Sequence, residues 1–206
     1  MTLQNGAGHE DLLKEFVDED HIVIGTTEDN GAVLGMGHVR RGGTGVTNVG
    51  MLVEDKEGFL PQLKEAFDQC GFNVKIHENI QTLIWDKLFT NVSLSALTGV
   101  LQVDMGYIAA DEFAWKLCCQ LIHETILTAA AAGLEFDEEA VREKVRKTSL
   151  NNPQGCTSIR ADLRDGRRTE VDTISGSVVR AAAKYGVDVP GHTFVVNLVH
   201  AMEGRK

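Results

Sequence analysis

Residues 80–101, Ile80-Gln-Thr-Leu-Ile84-Trp-Asp-Lys87-Leu-Phe-Thr-Asn91-Val-Ser-Leu-Ser95-Ala-Leu-Thr-Gly-Val-Leu101, read as one long helix. Leu83, Ile84, Leu88, Val92, Leu94, Ala96 and Leu97 cover much of its surface, so most of this helix is expected to be buried. Lys87, Asn91 and Ser95 recur at i, i+4 and i+8 and line one polar stripe. Spacing alone leaves two readings open. The stripe is either an ordinary solvated face or the wall of a cleft that presents an ammonium and an amide to a small anionic or carbonyl substrate. A lysine suits reduction of a ketone, because the alkoxide formed on hydride arrival needs a proton donor and a nearby positive charge.

The chain changes character at this helix. Downstream the pattern stays helical, with candidate helices near Asp111 to Ala132, Asp137 to Ser149, Ser158 to Asp165, Glu170 to Tyr185 and His192 to Glu203; Gly133, Pro153, Gly166, Gly186 and Pro190 fall in the gaps. Upstream, Thr2-Leu-Gln-Asn5-Gly-Ala-Gly8 reads as the end of a strand entering a glycine turn, followed by a helix from about Glu10 to Val17. Short strand-like runs at His21–Ile24, Ala32–Leu34, His38–Val39 and Gly45–Val49, broken by glycines, suggest an antiparallel meander. Apolar positions from Phe59 to Cys70 recur at helical spacing and Gly71 is placed to end that helix, after which Phe72–Ile76 is a further strand. The expected division is therefore a first domain over 1–78 and a helical domain over 79–206. A sheet that opens this way lacks its early strands, and an uncovered apolar face is expected around Ile22, Ile24, Val33 and Leu34.

Composition narrows the function classes. With 206 residues, 43% hydrophobic, the chain suits packed domains, and a formal charge of −10 disfavours nonspecific binding to nucleic acid or anionic membrane. Cys70, Cys118, Cys119 and Cys156 show no metal-ligand spacing, the seven histidines form no ligand set, and reduced thiols in a cytoplasmic protein are expected. Neither a signal peptide nor a stretch long enough to span a membrane is evident. The Gly-x-Gly-x-x-Gly turn of dinucleotide-binding domains is absent from these residues, and Gly43-Thr-Gly45-Val-Thr-Asn48 suits a hairpin better than a phosphate loop. Further along, Ser158 is a candidate helix cap or carboxylate ligand with Asp162 one turn away, and Thr169 is a candidate cap for the helix that Glu170 would open.

Taken jointly, Leu3-Gln4-Asn5-Gly6, Gly25-Thr-Thr27, the glycine-rich hairpin, Trp85-Asp-Lys87 with Asn91, Ser158 with Asp162, and Gly166-Arg-Arg-Thr-Glu170-Val-Asp172 with Gly176 occur in an order that resembles the ketopantoate reductase family over nearly the whole chain. The resemblance implies the late part of an NADP-binding Rossmann-type α/β domain, followed by an all-helical, 6-phosphogluconate-dehydrogenase-like domain. It also implies NADPH-dependent reduction of 2-dehydropantoate to pantoate, a step toward pantothenate and coenzyme A. In that scheme Lys87 is the proton donor, Asn91, Ser95 and Ser158 hold substrate, and Asn5 and Glu170 meet the nicotinamide end of the cofactor, with Gly31 touching the cofactor through its backbone. Ser95 stands where many family members carry asparagine, and Met105 stands near another polar substrate contact. The residues present are expected to have little activity by themselves, and a homo-oligomer is expected. The alternatives are reduction of another small 2-keto acid, or a noncatalytic helical module that binds or dimerises.

Overall fold

The computed structural model describes residues 1–29 and 31–204. Contacts divide it into two compact units, Met1–Gln4 with His9–Ile84, and Asn5–Gly8 with Trp85–Lys206. The fold is α+β, with small sheets in the first unit and helices throughout the second.

In the first unit, α1 (His9–Leu13) precedes strands β1 (Val23–Thr27), β2 (Gly31–Gly35), β3 (His38–Arg41) and β4 (Val46–Met51), then α2 (Phe59–Gln69) and β5 (Asn73–Ile76). The helix α1 is shorter than expected: the amides of Phe16 and Val17 both turn back onto the Leu13 carbonyl, closing it before Val17. The run of strands is not a meander. β1 pairs antiparallel with β4, from Val23 opposite Met51 to Thr27 opposite Thr47, and β4 pairs in parallel with β5. β2 and β3 form a separate two-stranded hairpin.

Packing explains the choice of partners. Val23, Val49, Met51, Leu60 and Val74 form the core of this unit, with Leu3, Leu63 and Phe67 against it, so the strands with inward apolar positions find each other across a long loop. The hairpin carries no such face; Val33, Leu34 and Val39 are all exposed. Ile22 and Ile24 are each only 1% exposed, so the bare surface expected around them does not exist, while Val33 and Leu34 are as open as expected. Gly25 is needed where β1 and β4 meet, because a Cβ there would lie 2.2 Å from the Asn48 carbonyl oxygen. Asp55 accepts hydrogen bonds of 2.8 Å from both Phe59 and Leu60 amides and so caps α2.

The long helix of the sequence reading is α3 (Ile80–Thr90), a π-helical stretch at Asn91–Ser95, and α4 (Ala96–Leu101). There follow α5 (Met105–Ala110), α6 (Glu112–Ala131), α7 (Glu138–Asn151), α8 (Ser158–Arg164), α9 (Ser175–Tyr185) and α10 (Pro190–Glu203). Asp111 and Asp137 cap α6 and α7 through their carboxylates. Gly133 and Gly186, at φ +84 and +69, end α6 and α9 as their positions in the sequence suggest. The helix expected from Glu170 begins only at Ser175; residues 170–174 are successive turns in which the amides of Thr173 and Ile174 both reach the Glu170 carbonyl.

α6 is the buried axis of the second unit, burying Cys118, Leu121, Ile122, Thr125, Thr128 and Ala129. Its Glu124 side chain is buried and accepts from the Gly191 and His192 amides at 2.9 and 3.0 Å, fixing the start of α10. His192 is fully buried against Thr125 and Leu121, and burial holds its pKa down. Burial likewise pushes the Cys118 thiol up to about 12, so this cysteine behaves as a small core residue.

Candidate active site

Lys87 and Asn91 occupy successive turns at the end of α3 and the start of the π stretch, and both are half-buried. A π turn inserts one extra residue into the α-helical ladder and rotates everything beyond it. Ser95, the last residue of that stretch, is only 6% exposed. The hydroxyls in this region satisfy main-chain carbonyls around the irregular turn: Ser93 Oγ donates to Phe89 O at 2.6 Å and Thr98 Oγ1 to Leu94 O at 2.7 Å. Beside Lys87, the Asp86 carboxylate is engaged by Lys144 of α7 at 2.5 Å.

Ser158 opens α8 but does not cap it. The cap is Thr157, whose hydroxyl accepts from the Arg160 amide and also meets Thr98 Oγ1 at 2.7 Å. Thr98 Oγ1 lies 3.2 Å from the Ser95 carbonyl as well, so Ser95 and the start of α8 belong to one network. The approach of the two helices leaves no room for a side chain at Gly99, where a Cβ would stand 2.5 Å from Ile159 Cγ2. Met105 is tied to the loop before Ser158 by its amide, which donates to Gly155 O at 3.0 Å, and Ser149 Oγ donates to the Met105 carbonyl at 2.6 Å. Asp162 turns aside to pair with Arg167 at 2.8 Å.

A second grouping joins the two ends of the chain. Asn5 Nδ2 donates to Glu170 Oε2 at 3.3 Å, across 165 residues of sequence. The adjacent backbone is clipped in place, with the Ala7 amide on the Thr173 carbonyl at 3.2 Å. Gly6 has φ +99, and a Cβ there would fall 1.7 Å from Thr173 O. Gly6→Ala is therefore expected to destabilise the protein by at least about 2 kcal/mol, because it combines an unfavourable backbone with a main-chain clash. Gly8 is the control: its φ is +81, yet nothing lies within 4 Å of its Cβ position. Urea unfolding that gave the same loss for Gly6→Ala and Gly8→Ala would show that the clip at Thr173 adds nothing.

Thr169 does not cap a helix. Its amide and its hydroxyl both donate to Glu203 Oε1 at 2.7 Å, and Glu203 in turn meets His200. Sequence reading missed both α10 residues, since neither carries a motif and both reach the turn from about thirty positions away. Gly31 belongs to the first unit, where it starts β2 opposite Arg41. The structure thus brings Asn5 to Glu170, and Ser95 to the start of α8 beside Met105, with Lys87 and Asn91 on the helix that leads to Ser95.

The family model described as ketopantoate reductase PanE/ApbA C terminal matches residues 79–203, and that described as ketopantoate reductase PanE/ApbA matches residues 1–54. The 2-dehydropantoate 2-reductase of Streptococcus pyogenes is 28% identical over 204 residues, covering 98% of this chain and 66% of that protein. The enzyme of the same name from Halobacterium salinarum is 30% identical over 199 residues, covering 97% and 65%. Among solved structures, D-mandelate dehydrogenase with NADH and anilino(oxo)acetate superposes with a TM-score of 0.88 at 30% identity, covering 98% of this chain and 66% of that one. A PanE/ApbA-family ketopantoate reductase from Ralstonia eutropha gives 0.86 at 25% identity, covering 98% and 65%. The chain spans about two thirds of the length of these relatives, and over that span it belongs to the ketopantoate reductase family.

Proposed function

We propose that these residues form the substrate and proton-donor part of an oxidoreductase that reduces 2-dehydropantoate to pantoate with NADPH. The observation that carries the reading is the Asn5–Glu170 hydrogen bond, because the two residues assigned to the nicotinamide end of the cofactor meet although 165 positions separate them. An amide and a carboxylate held together, both half-buried, offer the donor and acceptor that a carboxamide requires, so this end of the site fits a nicotinamide. The nicotinamide, when bound, supplies the hydride. Lys87 holds the proton on Nζ, delivers it to the ketone oxygen as charge develops there, and is left neutral until it regains a proton from water. Asn91, Ser95 and Ser158 hold the substrate, and Gly31 meets the cofactor through its main chain. The division at 78–79 separates a cofactor-binding part from a substrate-binding part in this scheme.

Gly-x-Gly-x-x-Gly does not occur in the 206 residues, and it is the helix N-terminus after such a turn that cradles the pyrophosphate in dinucleotide-binding domains. The 206 residues alone are therefore expected to turn over 2-dehydropantoate and NADPH at well below roughly 1 per second, the low end of ordinary enzymes. The same residues joined to the upstream nucleotide-binding segment of a curated relative should consume NADPH. Rapid turnover by the short form, or none by the completed form, would overturn the proposal. A second reading, reduction of another 2-keto acid, is favoured by the likeness to D-mandelate dehydrogenase and by Ser95 and Met105 at substrate positions. It predicts a higher kcat/KM of the completed form for an aromatic 2-keto acid, and NADH in place of NADPH.

A further inference from the structure

The turn that carries Glu170 is gripped from α10 by an arrangement that the proposed reaction does not use. His200 Nδ1 lies 2.9 Å from Glu203 Oε2, and His200 Nε2 lies 2.9 Å from Asp172 Oδ1. A neutral imidazole has one N–H and can donate to only one of these oxygens. The imidazolium donates to both, and each bond is then charge-assisted. Glu203 uses its other oxygen to accept from the amide and hydroxyl of Thr169, the residue before Glu170. Asp172 lies two residues after Glu170, and the next residue, Thr173, accepts the Ala7 amide beside Asn5. One imidazolium therefore holds the turn on both sides of Glu170, and the Asn5 segment is clipped to the same turn.

The charges around His200 agree with a cationic ring. From α10 it faces Glu203, and from the turn it faces Asp172, which also takes Arg168 at 3.4 Å. Arg180 of α9 donates to the Asp172 carbonyl at 2.9 Å, α4 carries no ionisable group, and Glu124 of α6 is committed to the far end of α10. The hydrogen bonds that the ring donates, first to Glu203 and then to Asp172, raise the His200 pKa above its ordinary 6.5. Burial alone would raise the Glu203 carboxyl, but the bonds from Thr169 and His200 outweigh it and hold it low.

We propose that His200 is a positioning residue: through Glu203 and Asp172 its charged ring fixes the turn that aims Glu170 at Asn5, so that this contact loosens when the ring loses its proton. The bearing on cofactor binding rests on the assignment of Glu170 above, whereas the clamp itself does not. The sign follows from the raised pKa. The contribution is fully present below the ordinary histidine range and is lost as pH rises through the higher folded value.

The test uses the 206-residue chain without cofactor, so its outcome is independent of the role given to Glu170. Backbone hydrogen-exchange protection at Thr169, Thr173 and Ala7, corrected for intrinsic rates, is expected to fall about 10-fold from about pH 6 to about pH 8.5, the scale of losing a charge-assisted hydrogen bond. Over the same range the nitrogen resonances of the His200 ring should change from doubly to singly protonated, while protection in the middle of α6 stays constant. His200→Gln should abolish the pH dependence at the three amides. His200→Arg, which keeps a cation and several donors, should preserve protection at high pH and provides the comparison if the glutamine variant does not fold. Protection that is flat with pH in the unaltered chain, or that falls equally in His200→Arg, would overturn the proposal.

Discussion

Lys87→Ala, placed in a fusion of this chain to the upstream nucleotide-binding segment of a curated relative, is expected to lower kcat by 10²-fold or more, on the order of what is lost when a positioned proton donor is removed. The change should fall on kcat more than on KM, because the ammonium matters most when negative charge has built up on the ketone oxygen. Folding should be little disturbed: the side chain is half-buried, and the nearby Asp86 keeps its ion pair with Lys144. A variant with kcat within about 3-fold of the parent would remove Lys87 from the chemistry, since general acid catalysis contributes far more than that. In that event the half-buried stripe would revert to its plainer reading as a polar helix face.

The legible parts of this site were those encoded locally. Lys87 and Asn91 fall about one helical turn apart across the end of α3, and only with Asn91 does the irregular stretch begin, so their spacing is readable from sequence. Ser95 is the last residue of the π stretch, and no residue between 91 and 95 announces that stretch; Ser93 bonding back to the Phe89 carbonyl is equally compatible in sequence with an ordinary helix. Thr157 and Ser158 are both good caps, and what favours Thr157 is the hydroxyl of Thr98, 59 residues away. The same limit applies to the strands. A hairpin such as β2 with β3 is local and readable, whereas the pairing of β1 with β4 is decided by a shared core containing Leu60 and Val74, neither of which is near in sequence. The turns at 170–174 read as helix from sequence because the residues that hold them, His200 and Glu203, lie about thirty positions further along the chain.

Phe89→Ala is expected to destabilise the helical unit by about 3–5 kcal/mol, the range for truncating a fully buried phenylalanine. Phe89 has no exposed surface and meets Phe136 edge to face, with ring centroids 4.9 Å apart at 77°. Alanine would leave a cavity, and the partner ring would lose its edge contact; dense helical packing gives the surroundings little freedom to collapse into the space. The position also bears on the candidate site, since its carbonyl accepts the Ser93 hydroxyl where the helix changes pitch, two residues after Lys87. Trp85 and Trp115, the two tryptophans of the chain, both belong to the second unit, so their fluorescence reports on the unfolding of that unit. With a urea m-value of about 1–3 kcal/mol/M, the transition should move down by more than about 1 M. A shift of less than about 0.3 M at unchanged m would mean that the ring contributes under about 1 kcal/mol, too little to hold the register of the turn that carries Lys87. The positions of Lys87 and Asn91 would then have to depend on the hydroxyl bonds of Ser93 and Thr98 instead of on the packing of α3.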